Sequence, residues 1–221
     1  MQIDVVFDTV CPWCFIGKRR LERALALRPA IEAQIRWRPF LLNPHMPGGG
    51  IEQTAYLIRK FGSENRVRRI YGALAEAGQT VDIDFAFDRI GRAPNSMSAH
   101  RLIRYADRHG AAAACVEALF LAYFIEGQDT GDIGVLVALG GRLGLAENDV
   151  ERFLEGDAEA AWVEEENARA HRLGINGVPA FVIDGQHAIA GAQEAPVLAR
   201  LLDAAMAQAA DEGVVPQTAM G

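Results

Sequence analysis

Residues 3–7 form a short run of branched and aromatic side chains, the pattern of a buried strand. Apolar positions then take helical spacing. Leu21 and Leu25 fall at i, i+4, which predicts a helix over 12–27 with Pro29 beyond its end. Residues 35–42 predict a second strand, interrupted by Pro39 and ended by Asn43-Pro44. Pro47 and the three glycines after it break the pattern. From about Gln53 to Leu173 the periodicity is mostly helical, with candidate helices at 54–61, 63–77, 95–109, 112–125, 132–143, 148–154 and 157–173. Ser63, Asn95, Asp132 and Asp157 suit N-caps, and Gly110, Gly144 and Gly174 suit the position after a helix end. Residues 81–87 alternate strictly and predict an extended segment lying along a surface rather than in a sheet. Strand character returns at 181–183 and 187–190 around Asp184-Gly185, a favoured hairpin turn. A last helix starts near 194–196 with Leu198, Leu201, Leu202 and Ala205 on one face.

The order is therefore β-α-β, a helical block, then β-β-α. The first unit implies parallel strands joined by a crossover helix. The last supplies an antiparallel hairpin and a covering helix. The expected fold is α/β, a four-stranded mixed sheet with helices on both faces. Residues 1–48 and 174–210 form the sheet domain, 49–173 a helical insertion subdomain, and 211–221 a flexible tail.

Composition narrows the function. The 221 residues carry a net charge of −7 and no long basic run, which argues against nucleic-acid binding. No stretch approaches the roughly 20 apolar residues of a membrane span. The N-terminus lacks a basic region and a long apolar core, so no signal peptide is expected and the protein is expected to be cytoplasmic. Thiols there are usually reduced, and a CxxC pair is more often catalytic or metal-binding than a structural staple.

That pair is Cys11-Pro12-Trp13-Cys14. A cysteine at a helix N-terminus meets unpaired backbone N–H groups and the positive end of the dipole, both of which favour a thiolate. Positions i and i+3 lie about 5–6 Å apart on one turn, within reach of a disulfide. Pro12 has no N–H to lose at the first helical position. Far along the chain, Gly177-Val178-Pro179 places a proline just before a buried strand, where it cannot break a ladder. The third cysteine, Cys115, lies in an Ala-rich apolar stretch and reads as a core residue.

CPWC after a first strand with Val-Pro before the third resembles the thioredoxin superfamily, and the helical insert is similar to its DsbA-like branch. Further stretches resemble the FrnE type: Cys11–Lys18, Phe40–Pro44, Ala93-Pro94-Asn95 with Ala99–Leu102, Tyr123-Phe124 with Gly127, and Gly174–Pro179. The resemblance implies a thioredoxin fold, a cis Val178–Pro179 bond facing the CxxC turn, and a Val178 backbone that pairs with an extended substrate peptide. It implies a disulfide oxidoreductase in which Cys11, the more exposed thiol, is the nucleophile and Cys14 resolves a mixed disulfide. Pro12 and Trp13 set the geometry of the turn. Trp13 reads either as an apolar lip beside the thiols or as a packing aromatic. It cannot stabilise a thiolate by charge as the histidine in the DsbA dipeptide does, so a less oxidising couple is expected.

Other residues carry two readings. Asp8 either finishes its strand, the favoured reading, or serves as an acid–base near Cys14. His100 is either a surface residue or part of the substrate cleft. Lys18 solvates a helix face. The expected partners are disulfide-containing proteins or peptides, with glutathione as a co-substrate. No organic cofactor and no metal are expected, and homodimerisation is allowed but required by no residue. Two rival functions share this layout. One is a glutathione-dependent isomerase or transferase of the hydroxychromene-carboxylate isomerase or kappa type, whose members usually carry serine at the position of Cys11. The other is a peptide-binding chaperone without redox chemistry.

Overall fold

Four strands order the molecule as β2-β1-β5-β6 in one sheet. They are β1 (Gln2–Phe7), β2 (Gln34–Pro39), β5 (Ala180–Ile183) and β6 (His187–Ala190) in a computed structural model that describes residues 1–213. β1 runs parallel to β2, with Ile3 opposite Ile35, and antiparallel to β5, with Val5 opposite Phe181. β6 closes the hairpin with β5 across Asp184-Gly185, both at positive φ (48° and 72°). This is the mixed four-stranded sheet that the element order predicts.

The crossover from β1 to β2 is helix α1 (Pro12–Ala26). It packs on α9 (Ala195–Gly213), whose Leu198, Ala199, Leu202 and Ala205 are buried. Residues 211–213, expected in a flexible tail, belong to this helix, and residues 214–221 lie outside the described residues.

The insert contains a two-residue ladder of β3 (Ile51–Glu52) and β4 (Arg92–Ala93) that the pattern did not predict. Its helices are α2 (Gln53–Phe61), α3 (Glu64–Gln79), α4 (Met97–Asp107), α5 (Ala112–Phe124), α6 (Ile133–Arg142), α7 (Glu147–Glu155) and α8 (Ala160–Arg172). Ser63 and Asp132 cap as predicted, accepting from the N–H groups of Arg66 and Val135. Asn95 accepts from the Met97 N–H at 2.9 Å, although Ser96 occupies the cap. Asp157 does not cap α8. Its carbonyl closes a turn onto the Ala160 N–H, and the helix starts after Glu159 at φ 64°. Residues 81–87 lie outside any sheet, with Val81 and Ile83 buried and Asp82 and Asp84 exposed. They are not extended throughout: Val81 and Asp82 form a turn, with Asp82 at φ 59°, and Phe87 opens a 3-10 helix over Phe87–Arg89.

Helix α5 is apolar nearly all round and sits at the centre of the core. Phe120 stacks on Phe15 of α1 at 5.0 Å and meets Phe7 of β1 edge-on at 6.1 Å. A continuous apolar cluster thus joins sheet domain and insert. The other sheet face is covered more thinly, by Ala170 of α8 over Val6, Phe40 and Ala180.

Candidate active site

Strand β1 delivers the chain to the top of the sheet, and a tight turn starts α1. The Asp8 carbonyl accepts from the Cys11 N–H at 3.1 Å, and the Cys11 carbonyl accepts from the Cys14 N–H at 3.0 Å. Cys11 is the N-cap, in extended backbone (φ −97°, ψ 113°), with Pro12 directly after it. Its side chain accepts no capping hydrogen bond from the helix. With the Cys14 and Phe15 N–H groups on the Cys11 carbonyl, the Trp13 N–H is left as the first-turn donor without a backbone partner among the described residues. Cys14 follows one turn in. Both thiols are buried and free, Cys11 at 5% exposure and Cys14 at 2%. The expected order of exposure holds, by a small margin.

Burial pushes the Cys14 thiol well above the ordinary thiol range. Its hydrogen bond to Cys11, the charge there and the Asp8 carboxylate push the same way, while the Asp8 backbone N–H opposes them. The site thus favours the neutral form of the Cys14 thiol. Cys115 lies wholly inside α5, its thiol pushed up to about 12 by burial alone, as befits a core residue.

The second half of the site comes from the loop before β5. The Val178–Pro179 bond is cis, and the Cys11 Sγ donates to the Val178 carbonyl at 3.7 Å. Pro179 lies against α1 at Gly17, where a Cβ would stand 2.8 Å from the proline Cγ. Glycine at this position lets the helix and the proline loop approach. The Pro179 carbonyl accepts from the Gly191 N–H at 2.7 Å, which ties the loop to the end of β6. Among the described residues the Val178 N–H donates to no protein group.

Beneath the turn, Asp8 is fully buried. Its Oδ2 accepts from the Leu42 N–H at 2.8 Å, and its Oδ1 lies 3.4 Å from His100 Nε2. The Leu41 N–H donates to Asn167 Oδ1 at 2.8 Å. These side chains take the N–H groups that a longer strand would have used, so β2 stops at Pro39 rather than at Leu42. Asp8 thus both finishes its strand and sits near Cys14. His100 is neither on the surface nor in the cleft. It is buried against Phe7 behind the turn, with ring centroids 5.3 Å apart. Lys18 also departs from expectation. At 5% exposure it bridges Glu22 and Glu117 (2.5 and 2.6 Å), joining α1 to α5 rather than facing solvent.

A cavity of about 470 Å³ opens beside Cys11, with Pro12, Trp13, Gly177 and Val178 on its sheet-domain side. Trp13 is 39% exposed and forms the apolar lip of one of the two expected readings. The opposite wall comes from the insert, including Gln53, Tyr56, Leu57 and Lys60 of α2. Sequence reasoning missed these four, although their i, i+3, i+4, i+7 spacing marks one helix face. Tyr56 Oη donates to Asn43 Oδ1 at 2.9 Å, fastening α2 to the loop after β2.

A sheet of this order, carrying a CxxC helix N-terminus against a cis-proline loop, defines the thioredoxin-like class. The chain belongs to the DSBA-like thioredoxin domain family, whose pattern matches residues 2–203. Its structure is similar to that of a probable DsbA oxidoreductase from Streptomyces coelicolor, at 27% identity and TM-score 0.87, covering 100% of this chain and 94% of that one. A 2-hydroxychromene-2-carboxylate isomerase shares the fold at 21% identity and TM-score 0.71, covering 96% and 98%. So does the cytosolic disulfide reductase DsbM from Pseudomonas aeruginosa, at 20% identity and TM-score 0.64, covering 97% and 100%; it has also been solved with GSH. The expected DsbA-like membership and fold are borne out. Among the described residues, no helix is long and apolar enough to cross a membrane.

Proposed function

We propose that this protein is a thiol–disulfide oxidoreductase acting on protein or peptide disulfides through Cys11 and Cys14. The observation that carries the reading is the juxtaposition of Cys11 Sγ, at the start of α1, with the Val178 carbonyl beside cis-Pro179. Cys11 is the attacking sulfur because it stands at the N-terminal, positive end of the α1 dipole and it alone of the pair borders the cavity. Its thiolate attacks one sulfur of a substrate disulfide, and the other substrate sulfur leaves as a thiolate. Cys14 then gives up its proton and attacks Cys11 Sγ, so the Cys11–Cys14 disulfide forms and the second substrate thiol is released. The reverse sequence passes the disulfide back. The unpaired Val178 N–H and its carbonyl suit strand addition by an extended substrate, which places the substrate disulfide beside Cys11. Glutathione serves as the small thiol partner in this reading. The high-lying Cys14 thiol favours a long-lived mixed disulfide, because resolution waits on its deprotonation.

The test is trapping. Cys14→Ser should accumulate mixed disulfides on Cys11 that reducing agent releases, and Cys11→Ser should accumulate none. Equal labelling of both variants would remove Cys11 from the attacking role. Glutathione-dependent isomerase or transferase activity that survives Cys14→Ser would favour the rival chemistry.

A further inference from the structure

The cavity beside Cys11 is deeper than strand addition at Val178 requires. Leu74, Tyr123 and Phe124, all buried, help close it from the insert side. A polypeptide backbone cannot pass through such a floor, and about 470 Å³ falls in the range of small-molecule pockets, about 300–1,000 Å³. The walls are rich in aromatic side chains, among them Trp13, Tyr56, Tyr71, Tyr123 and Phe124. Tyr71 and Phe87 are fixed by stacking on each other, with centroids 4.1 Å apart. Flat aromatic groups pack well against such rings, edge-on or offset.

One polar group in this wall is incomplete. Gln53 is 8% exposed and lines the cavity. Its Nε2 donates to Tyr71 Oη at 3.1 Å, but its Oε1 is buried without a hydrogen-bond partner. A buried acceptor left without a partner destabilises the fold and gains by meeting a donor. The terminal torsion of glutamine is soft, so the amide can turn when a donor in the cavity takes the place of its bond to Tyr71.

We propose that the cavity receives the aromatic part of a small-molecule disulfide whose ring carries a hydroxyl or N–H, with Gln53 Oε1 accepting that hydrogen. The proposal rests on the reading of Cys11 as the attacking thiol. The Cys11 thiolate attacks one sulfur of an aryl disulfide, forming a Cys11–aryl disulfide and expelling one aryl thiolate. Deprotonated Cys14 attacks Cys11 Sγ, forming the Cys11–Cys14 disulfide and expelling the second. The protein loses two electrons and the aryl disulfide gains them.

Single-turnover reduction by the reduced protein tests this with bis(4-hydroxyphenyl) disulfide, bis(4-methoxyphenyl) disulfide and 2-hydroxyethyl disulfide. Each rate constant is divided by that of dithiothreitol with the same compound, which removes intrinsic reactivity. The wild-type protein should prefer the hydroxy over the methoxy compound by about 3- to 10-fold, the worth of one neutral hydrogen bond. Gln53→Leu should bring that ratio to about one. A wild-type ratio near one, a ratio that persists in Gln53→Leu, or a normalised rate with 2-hydroxyethyl disulfide as high as with the hydroxyphenyl compound overturns the proposal. So does inhibition of 2-hydroxyethyl disulfide reduction by N-acetyltyrosinamide with none by 4-phenylphenol, which would assign the cavity to a peptide side chain. If Gln53→Leu does not fold, the normalised wild-type ratio decides alone. Failure of the oxidoreductase reading itself looks different, since then 2-hydroxyethyl disulfide is not reduced either.

Discussion

The Sγ atom of Cys11 lies 3.7 Å from the carbonyl oxygen of Val178, 167 positions further along the chain. The contact joins the N-terminus of the first helix to the loop that enters β5. It exists because β1 and β5 are antiparallel neighbours in the sheet, so β1 ends beside the start of β5. A thiol at a helix N-terminus is thereby placed against free main chain, the arrangement that disulfide exchange with an extended partner needs.

That placement depends on Gly17. In an exposed helix interior, alanine should outperform glycine by about 1 kcal/mol. Here the new Cβ would meet Pro179 Cγ at 2.8 Å and Phe181 Cζ at 3.2 Å. Gly17→Ala is therefore expected to lower stability by about 1–3 kcal/mol, the usual cost of overpacking, and to slow disulfide exchange by displacing the proline loop. Urea denaturation checks the first part. A more stable variant would mean that the contact relaxes without cost.

Asp8 acts on Cys14 through charge. Its carboxylate helps hold the Cys14 thiol above its ordinary range, while its backbone N–H pulls the other way. Asp8→Asn removes the first influence and keeps the second, so the Cys14 titration should move to lower pH. An NMR titration of a ¹³Cβ label on Cys14 in the reduced protein reads this directly. An unchanged or raised midpoint would assign Asp8 a purely structural part.

Cys115 predicts a pH dependence of stability. Burial raises its thiol from 9.0 to about 12, so the folded state disfavours the thiolate. The contribution of the neutral thiol is fully present below the unfolded value and is lost as pH rises toward the folded one. Across pH 9 to 12 the loss amounts to about 4 kcal/mol, at about 1.4 kcal/mol per unit. Cys115→Ala should remove that part of the alkaline decline, seen as a shallower fall of unfolding free energy with pH. Parallel curves for the two proteins would contradict it.

Much of this architecture is legible in the sequence. Strand patterning and the Asp184-Gly185 turn foretell the sheet, and CPWC with a distant Val-Pro identifies both halves of the site. What escapes is what depends on tertiary packing. The β3–β4 ladder has two residues on each side, too few for any pattern. Lys18 looks like a solvent-facing helix residue until Glu117 arrives from α5, 99 positions away. His100 carries no local sign that it will be buried beside Asp8. Gln53, Tyr56, Leu57 and Lys60 do share a helix face, but periodicity alone cannot say that this face borders a cavity rather than a closed core. Asp157 has the right chemistry for a cap, yet Glu159 at positive φ ends the preceding turn and starts the helix later.

The central claim is that Cys11 and Cys14 form a working redox couple. Titration of the protein in glutathione buffers of graded potential, with thiols counted by alkylation and mass spectrometry, tests it most directly. The account predicts one reversible two-electron transition that links Cys11 to Cys14, leaves Cys115 reduced, and is abolished by Cys11→Ser or Cys14→Ser. Two thiols that stay reduced across the whole range, or oxidise only irreversibly, would contradict it.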